Sequence, residues 1–373
     1  MTRIWDPTPD HIAYLGSRLR AGELVAMPTE TVYGLAGNMW DPQAVARIFA
    51  VKERPHFDPL IVHLPLPGES LNLGYLQDQG VVRIDGIPVT VRPVLEALLR
   101  ACWPGPLTVV LPRSAGLLDL VTSGLETVAV RIPNHPVAQA LLRAAQVPLA
   151  APSANRFGRI SPTTAAAVEQ ELQGRIDHIL DGGRCGVGVE STIVVCHGDG
   201  SWQCLRPGGI PVEVIQAYLG PERSESPQEQ PLLVSRQRTP SQLAPGQLDS
   251  HYAPRTPFFR LDSAWSHLPP TTWQALRDWV GSRKVGILVW QGDPATLVAW
   301  FQSQWHGSVR VWSLSPDGDP VTAAQQLFQV LRELDASGSD VLLTEPIPLT
   351  TGLGPALQDR LRRASTLWVA PET

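Results

Sequence analysis

The apolar positions of the first 218 residues change period repeatedly along the chain. Ile12, Leu15 and Leu19 recur at helical spacing, and Gly22 stops that helix. Leu24 to Met27 is a short apolar run that reads as a strand. Asp41 then reads as an N-cap with Pro42 in the first helical position. Val45, Ile48 and Phe49 form the apolar stripe of that helix. Residues 59–64, 127–132 and 147–151 read as strands. Helical and strand patterns alternate, which predicts mixed α/β architecture. After Tyr218 the pattern fades, and residues 221–254 have the Pro-, Ser-, Gln- and Glu-rich composition of a linker. It returns near Phe258, with buried strands expected at 285–290 and 341–344 and helices at 323–334 and 355–363. The expected division is a large α/β domain at 1–218, a linker at 219–256 and a smaller α/β domain at 257–373, Rossmann-like in its pattern.

Composition narrows this picture slightly. A hydrophobic share of 43% and a charged share of 17% describe an ordinary soluble globular protein. The net charge of −5 supplies no global basic field for a nucleic-acid backbone, so any bound anion has to be met by local groups. The four cysteines, Cys102, Cys185, Cys196 and Cys204, form no C-x-x-C pair and have no histidines at ligand spacing, so no metal site is expected. Few cysteines in a long chain suit a reducing compartment. The polar, proline-bearing start does not read as a signal peptide, and no apolar run is long enough to span a bilayer. A cytoplasmic protein is expected. Eight of the twelve tryptophans fall after residue 256, where they read as core.

Candidate chemistry lies where apolar runs become polar. The segment Met27–Gly34 leaves a strand with the hydroxyls of Thr29 and Thr31, followed by a glycine that allows close backbone approach. It reads either as an edge turn or as a ligand loop. Lys52 lies seven residues after Val45 and so continues the apolar stripe, with Arg54 just beyond and Pro55 ending the helix. Both cations either bind an anion or only complement the helix C-terminus, an effect of about 0.3–1 kcal/mol. His63 ends a strand whose Leu60, Val62 and Leu64 face the other way. Alternation also puts Thr127, Ala129 and Arg131 on one face, opposite Val128, Val130 and Ile132. Arg131 is suited to a carboxylate or phosphate. Residues 151–155, Ala-Pro-Ser-Ala-Asn, follow a strand, and Ser161 with Pro162 reads as the N-cap and first position of an Ala-rich helix. Residues 186–192 are a glycine-rich approach to a strand, and Arg206 stands at a Pro-Gly-Gly turn. No G-x-x-x-x-G-K-[ST] loop occurs, so any nucleotide is held in another way.

In this order and spacing, the stretches PTETVYGL (28–35), KERP (52–55), PLIVH (59–63), WPGPLT (103–108), VAVRIP (128–133), APSAN (151–155), ESTIV (190–194) and RPGGI (206–210) resemble the threonylcarbamoyl-AMP synthase family. APGQLDSHYAP at 244–254, followed by a further α/β region, resembles its long two-domain form. The resemblance implies an open twisted α/β sandwich around a deep, positively lined cavity, and an enzyme that joins L-threonine, bicarbonate and ATP into threonylcarbamoyl-AMP and pyrophosphate, with Mg²⁺. It implies that Thr31, His63, Arg131, the backbone of Ala151 and Ser191 hold threonine. Lys52, Arg54, Asp58, Thr127, Ser153, Ser161 and Arg206 surround ATP, with Asn155 close by and Tyr252 reaching the nucleotide from a segment that folds over the site. Lys52 and Arg54 are the expected catalytic cations, acting by position and charge. The product is expected to pass to a tRNA threonylcarbamoyl transferase complex, with a local tRNA contact left open.

Two features depart from the family pattern. Asp58 stands where many members carry Asn, and a carboxylate near phosphates repels them. The stretch QLDSHYAP is less basic than in many relatives. A carbamoyl-transfer enzyme of hydrogenase maturation shares a similar core domain, but it carries zinc-finger cysteine pairs before that core. A double-stranded RNA-binding module is the reading from another class, and the net charge of −5 counts against it as the main function.

Overall fold

The computed structural model of the chain describes residues 1–68, 70–197, 199–222 and 252–370. The chain divides into two compact units, one of residues 1–157 and 161–248, the other of 158–160 and 249–373. Of the expected linker, residues 223–251 lie outside the described residues.

Among the described residues the first unit is built on a ten-stranded mixed sheet. Its strands in chain order are β1 (Arg3–Trp5), β2 (Val25–Met27), β3 (Gly34–Asn38), β4 (Ile61–His63), β5 (Leu107–Pro112), β6 (Thr127–Arg131), β7 (Leu149–Ala150), β8 (His178–Leu180), β9 (Thr192–Cys196) and β10 (Trp202–Arg206). They lie in the order β1-β8-β2-β3-β7-β4-β6-β5-β9-β10. The strands expected at 59–64 and 147–151 are therefore present but shorter. At 59–60 a proline has no N–H for the ladder, and pairing starts at Ile61.

The alternation read from the sequence sorts residues onto the two faces of this sheet. Val62, Val109, Val128, Val130 and Val194 enter the main core. Ile61, Val110, Ala129, Ile193 and Val195 form a smaller cluster of their own, as expected for side chains that point to the other face. β4 pairs in parallel with β6, Ile61 beside Ala129 and His63 beside Arg131. That register places the histidine and the arginine next to each other on the smaller face.

The helix Pro42–Lys52 forms as its sequence dictates. The Asp41 carboxylate accepts the Gln43 N–H at 2.8 Å, and Pro42 occupies the first position. Val45, Ile48 and Phe49 are buried in the core. Glu53 takes a left-handed conformation with φ 55°, and the Arg54 N–H donates to the Phe49 carbonyl at 3.0 Å, which closes the end. Lys52 is thus held on the buried side at the last turn.

In the second unit a parallel sheet has the order β13-β12-β14-β11-β15, from β11 (Phe258–Arg260), β12 (Val285–Gln291), β13 (Val309–Ser315), β14 (Val341–Thr344) and β15 (Thr366–Leu367). Every strand is parallel to its neighbours, so each connection must cross over, and helices Pro270–Val280, Pro294–Gln304, Pro320–Asp335 and Gly354–Ala364 provide the crossings. Trp265, Trp273, Trp305 and Trp368 are core residues here, whereas Trp300 is 44% exposed. No helix of the described residues is long and apolar enough to cross a membrane.

Candidate active site

Four cations of the first unit, Lys52, Arg54, Arg131 and Arg206, are each no more than 6% exposed. A buried cation requires acceptors or a counter-charge, and each of these has them.

Lys52 Nζ donates to the Ser153 carbonyl at 2.5 Å and to that of Asn155. Burial, with the Arg54 charge beside it, lowers the pKa of the amine well below its ordinary value, against the pull of Asp58 and Glu171. The APSAN stretch thus lies against the KERP turn through a lysine about a hundred residues away in sequence, a gap large enough that no local pattern could encode it. Ser153 also bridges to Gly34. Asn155 is buried, and its amide donates to the Arg156 carbonyl at 2.8 Å.

Arg54 and Asp58 form a buried ion pair at 2.8 Å. The guanidinium also donates to the carbonyls of Asp58 and Pro59, at 3.0 and 2.9 Å. Burial pushes the Asp58 carboxyl up, while Arg54, Lys52 and Arg206 pull it down. Burial is the larger effect, so the Asp58 carboxyl lies above its ordinary value, with Arg54 as its direct partner.

Arg206 ends β10 and reaches back to β9. Its Nη2 donates to the Ser191 carbonyl at 2.9 Å and to the Ser191 hydroxyl at 3.1 Å. Ser191 Oγ also meets Thr108 Oγ1 at 2.7 Å. The turn after Arg206 needs glycine because a Cβ at Gly208 would stand 2.4 Å from the backbone of Glu190 to Thr192. That close approach is the physical content of the Pro-Gly-Gly motif.

Arg131 projects from β6. It donates to Thr31 Oγ1 at 2.8 Å and forms an ion pair with Glu30 at 2.8 Å, with a longer contact of 3.4 Å to the Gly105 carbonyl. Thr31 is fixed in turn by Thr29, whose hydroxyl lies 2.9 Å from its own. His63, beside Arg131, makes a 3.1 Å contact with the Ile61 carbonyl. Burial and the Arg131 charge lower its pKa to about 3, so it is neutral near neutral pH. Ala151 follows β7 and is tied by its N–H to the Ile61 carbonyl at 2.9 Å. Thr127 starts β6 and is buried on the same face as Arg131.

Two expectations are corrected or relocated by the structure. Ser161 does not cap a helix. The helix is Ala165–Leu172, capped by Thr164, whose hydroxyl accepts the Ala167 N–H at 3.2 Å. Thr164 wins because it stands directly before the alanine run, while Ser161 donates instead to Glu190 at 2.6 Å. Tyr252 belongs to the second unit, where its ring packs 5.5 Å from Phe328 and under Arg360. Glu30, Thr108 and Glu190 lie inside the motifs at 28–35, 103–108 and 190–194, but nothing in the local spacing gives them a role. Their partners are distant in sequence, and only the sheet order brings them together.

Fold and site together define a class: an α/β protein whose larger unit holds buried cations and hydroxyls at the ends of motif-bearing strands and in their turns. A family model described as "Telomere recombination" matches residues 17–208, and one described as "Threonylcarbamoyl-AMP synthase, C-terminal domain" matches residues 210–366. The threonylcarbamoyl-AMP synthase of Bacillus subtilis (strain 168) is 35% identical over 356 residues, 95% of this chain and 92% of that protein. That of Pyrococcus abyssi (strain GE5 / Orsay) is 36% identical over 350 residues, 93% and 92% of the two chains. The crystal structure of P. abyssi Sua5 complexed with L-threonine is similar with a TM-score of 0.77 at 33% identity, covering 99% of this chain and all of that one (100%). The chain belongs to the threonylcarbamoyl-AMP synthase family, in its two-domain form.

Proposed function

We infer that this chain is an L-threonylcarbamoyladenylate synthase, which uses ATP to convert L-threonine and bicarbonate or CO₂ into threonylcarbamoyl-AMP and pyrophosphate for threonylcarbamoyladenosine in tRNA. The reading is supported by family membership, and one observation carries it in the site: a buried arginine bonded to a threonine hydroxyl and a carboxylate, with three further buried cations, Lys52, Arg54 and Arg206, in the same unit. An amino-acid carboxylate fits the arginine and a polyphosphate fits the three cations.

The chemistry then follows from the parts. The threonine ammonium first gives one proton to solvent, and the amine nitrogen then bonds to the carbon of CO₂ and gives up a second proton, leaving a carbamate. A carbamate oxygen bonds to the α-phosphorus of ATP as the bond to the β-phosphate oxygen breaks, and pyrophosphate leaves with that electron pair. Arg131 holds the threonine carboxylate, with Thr31, neutral His63, the Ala151 backbone and Ser191 around the amino acid. Lys52, Arg54 and Arg206 meet the phosphates, with Asp58, Thr127, Ser153, Asn155 and Ser161 around the nucleotide. Phosphate oxygens take the place of Asp58 as the partner of Arg54, which sets positive charge where negative charge develops. Mg²⁺ enters with ATP as part of the substrate and neutralises phosphate charge. Among the described residues no cluster of three acidic, His or Cys side chains forms a dedicated metal cage. The product passes to a tRNA threonylcarbamoyl transferase complex in the cytoplasm.

The test is pyrophosphate release with each component omitted in turn, together with mass detection of threonylcarbamoyl-AMP. Release should require ATP, threonine and bicarbonate together. Equal release without threonine would overturn the reading.

A further inference from the structure

The residues assigned to threonine supply a cation for its carboxylate but no anion for its ammonium. A zwitterion in a buried site needs both, because an uncompensated buried charge is costly. Glu30 is the carboxylate in contact with Arg131, at 2.8 Å, and it is only 9% exposed. Apart from that ion pair, neither of its oxygens accepts a hydrogen bond among the described residues. A carboxylate has about four acceptor sites, so a buried one with a single neighbour has capacity left over. Its position is fixed, since the Val187 N–H donates to the Glu30 carbonyl at 2.7 Å and the flanking Thr29 and Thr31 hydroxyls hold each other.

The charge count gives the same answer. Two titratable groups that feel the Glu30 charge are the His135 ring and the Cys185 thiol. Burial lowers the pKa of the first and pushes that of the second up to about 12, so both are neutral. His63, beside Arg131 in the sheet, is neutral as well. Between themselves Glu30 and Arg131 balance in charge. A bound carboxylate makes the set net negative, and a bound ammonium restores neutrality.

We propose that Glu30 is the receptor for the substrate's ammonium group, so that the Glu30–Arg131 pair recognises a free α-amino acid zwitterion and rejects acids that lack the amine. The proposal rests on the threonine reading above. The alternative role for Glu30 is purely to orient Arg131, and the experiment separates the two. Titration calorimetry on the full chain compares L-threonine with 3-hydroxybutyrate, which keeps the carboxylate and the hydroxyl and lacks the amine. The native protein should bind threonine at least about tenfold more tightly, the usual effect of one charge-assisted contact. Glu30→Gln should weaken threonine by about ten- to a hundredfold and leave 3-hydroxybutyrate no weaker, since Arg131 loses its competing carboxylate. Glu30→Asp, which keeps the charge on a shorter arm, should retain part of the threonine affinity. Equal losses for the two ligands in Glu30→Gln would reduce Glu30 to a positioning role and overturn the proposal. So would equal binding of the two ligands by the native protein, a result that needs no variant to fold. If the native protein binds no threonine even with ATP present, the proposed function falls and this assignment with it.

Discussion

The Glu30–Arg131 pair makes a sharp prediction about stability that is independent of turnover. The two charges are 2.8 Å apart, with side chains 11% and 4% exposed. Their gross attraction is about 6 kcal/mol at an effective dielectric of about 20. Desolvation of each ion, several kcal/mol, removes most of that gain relative to an apolar pair. Breaking the pair is a different matter. Arg131→Met leaves Glu30 as a buried carboxylate with no counter-ion and should cost about 3–5 kcal/mol. Glu30→Gln is milder, because Arg131 keeps the Thr31 hydroxyl at 2.8 Å and the Gly105 carbonyl at 3.4 Å. It should cost about 1.5–3 kcal/mol. The double variant removes both charges, so its loss should fall short of the sum by about 2–3 kcal/mol. Thermal unfolding reads this as a Tm of the double variant above the value obtained by adding the two single shifts, at about 2–4 °C per kcal/mol for a unit of this size. Threonine binding should stay lost in both variants that lack Arg131. Strict additivity of the two single losses would refute the argument, since it would mean that the two charges do not compensate each other in the fold.

Other outcomes follow from the same geometry. Lys52→Ala and Arg54→Ala should each lower turnover by about one to two orders of magnitude while the chain still folds, and near-normal kinetics would remove that residue from the site. His63 titrates near 3 when folded and near 6.5 when unfolded, so the unfolded chain binds the proton first. Its contribution to stability is complete above about pH 6.5 and should fall by about 2–3 kcal/mol by pH 4.5, a slope that denaturant titrations should find diminished in His63→Gln. Tyr252→Phe should leave the ring packing on Phe328 and the stability of the second unit unchanged. It should raise the KM for ATP if the hydroxyl meets the nucleotide, and an unchanged KM would release Tyr252 from the site.

Much of the fold is legible in the sequence wherever the cause is local. Asp41-Pro42 starts a helix because a carboxylate can reach an N–H two residues on and proline loses nothing at the first position. The apolar stripe through Val45, Ile48 and Phe49 reaches Lys52 because helical period alone puts all of them on one face. Alternation in β6 separates Arg131 from Val128 and Val130 because successive strand side chains must point to opposite faces. Ser161 shows the limit even of local rules, since Thr164 competes for the same helix start and only the folded chain gives Ser161 an acceptor in Glu190. What the tertiary structure alone decided is who meets whom. β4 lies beside β6 although the chain runs through β5 between them, and this order sets His63 against Arg131. Lys52 reaches the carbonyls of 153 and 155, Thr108 meets Ser191, and Glu30 meets Arg131 across roughly a hundred residues or nearly so. Such pairings depend on the order of strands and on the exclusion of water around charges, and neither is written in the spacing of any one segment.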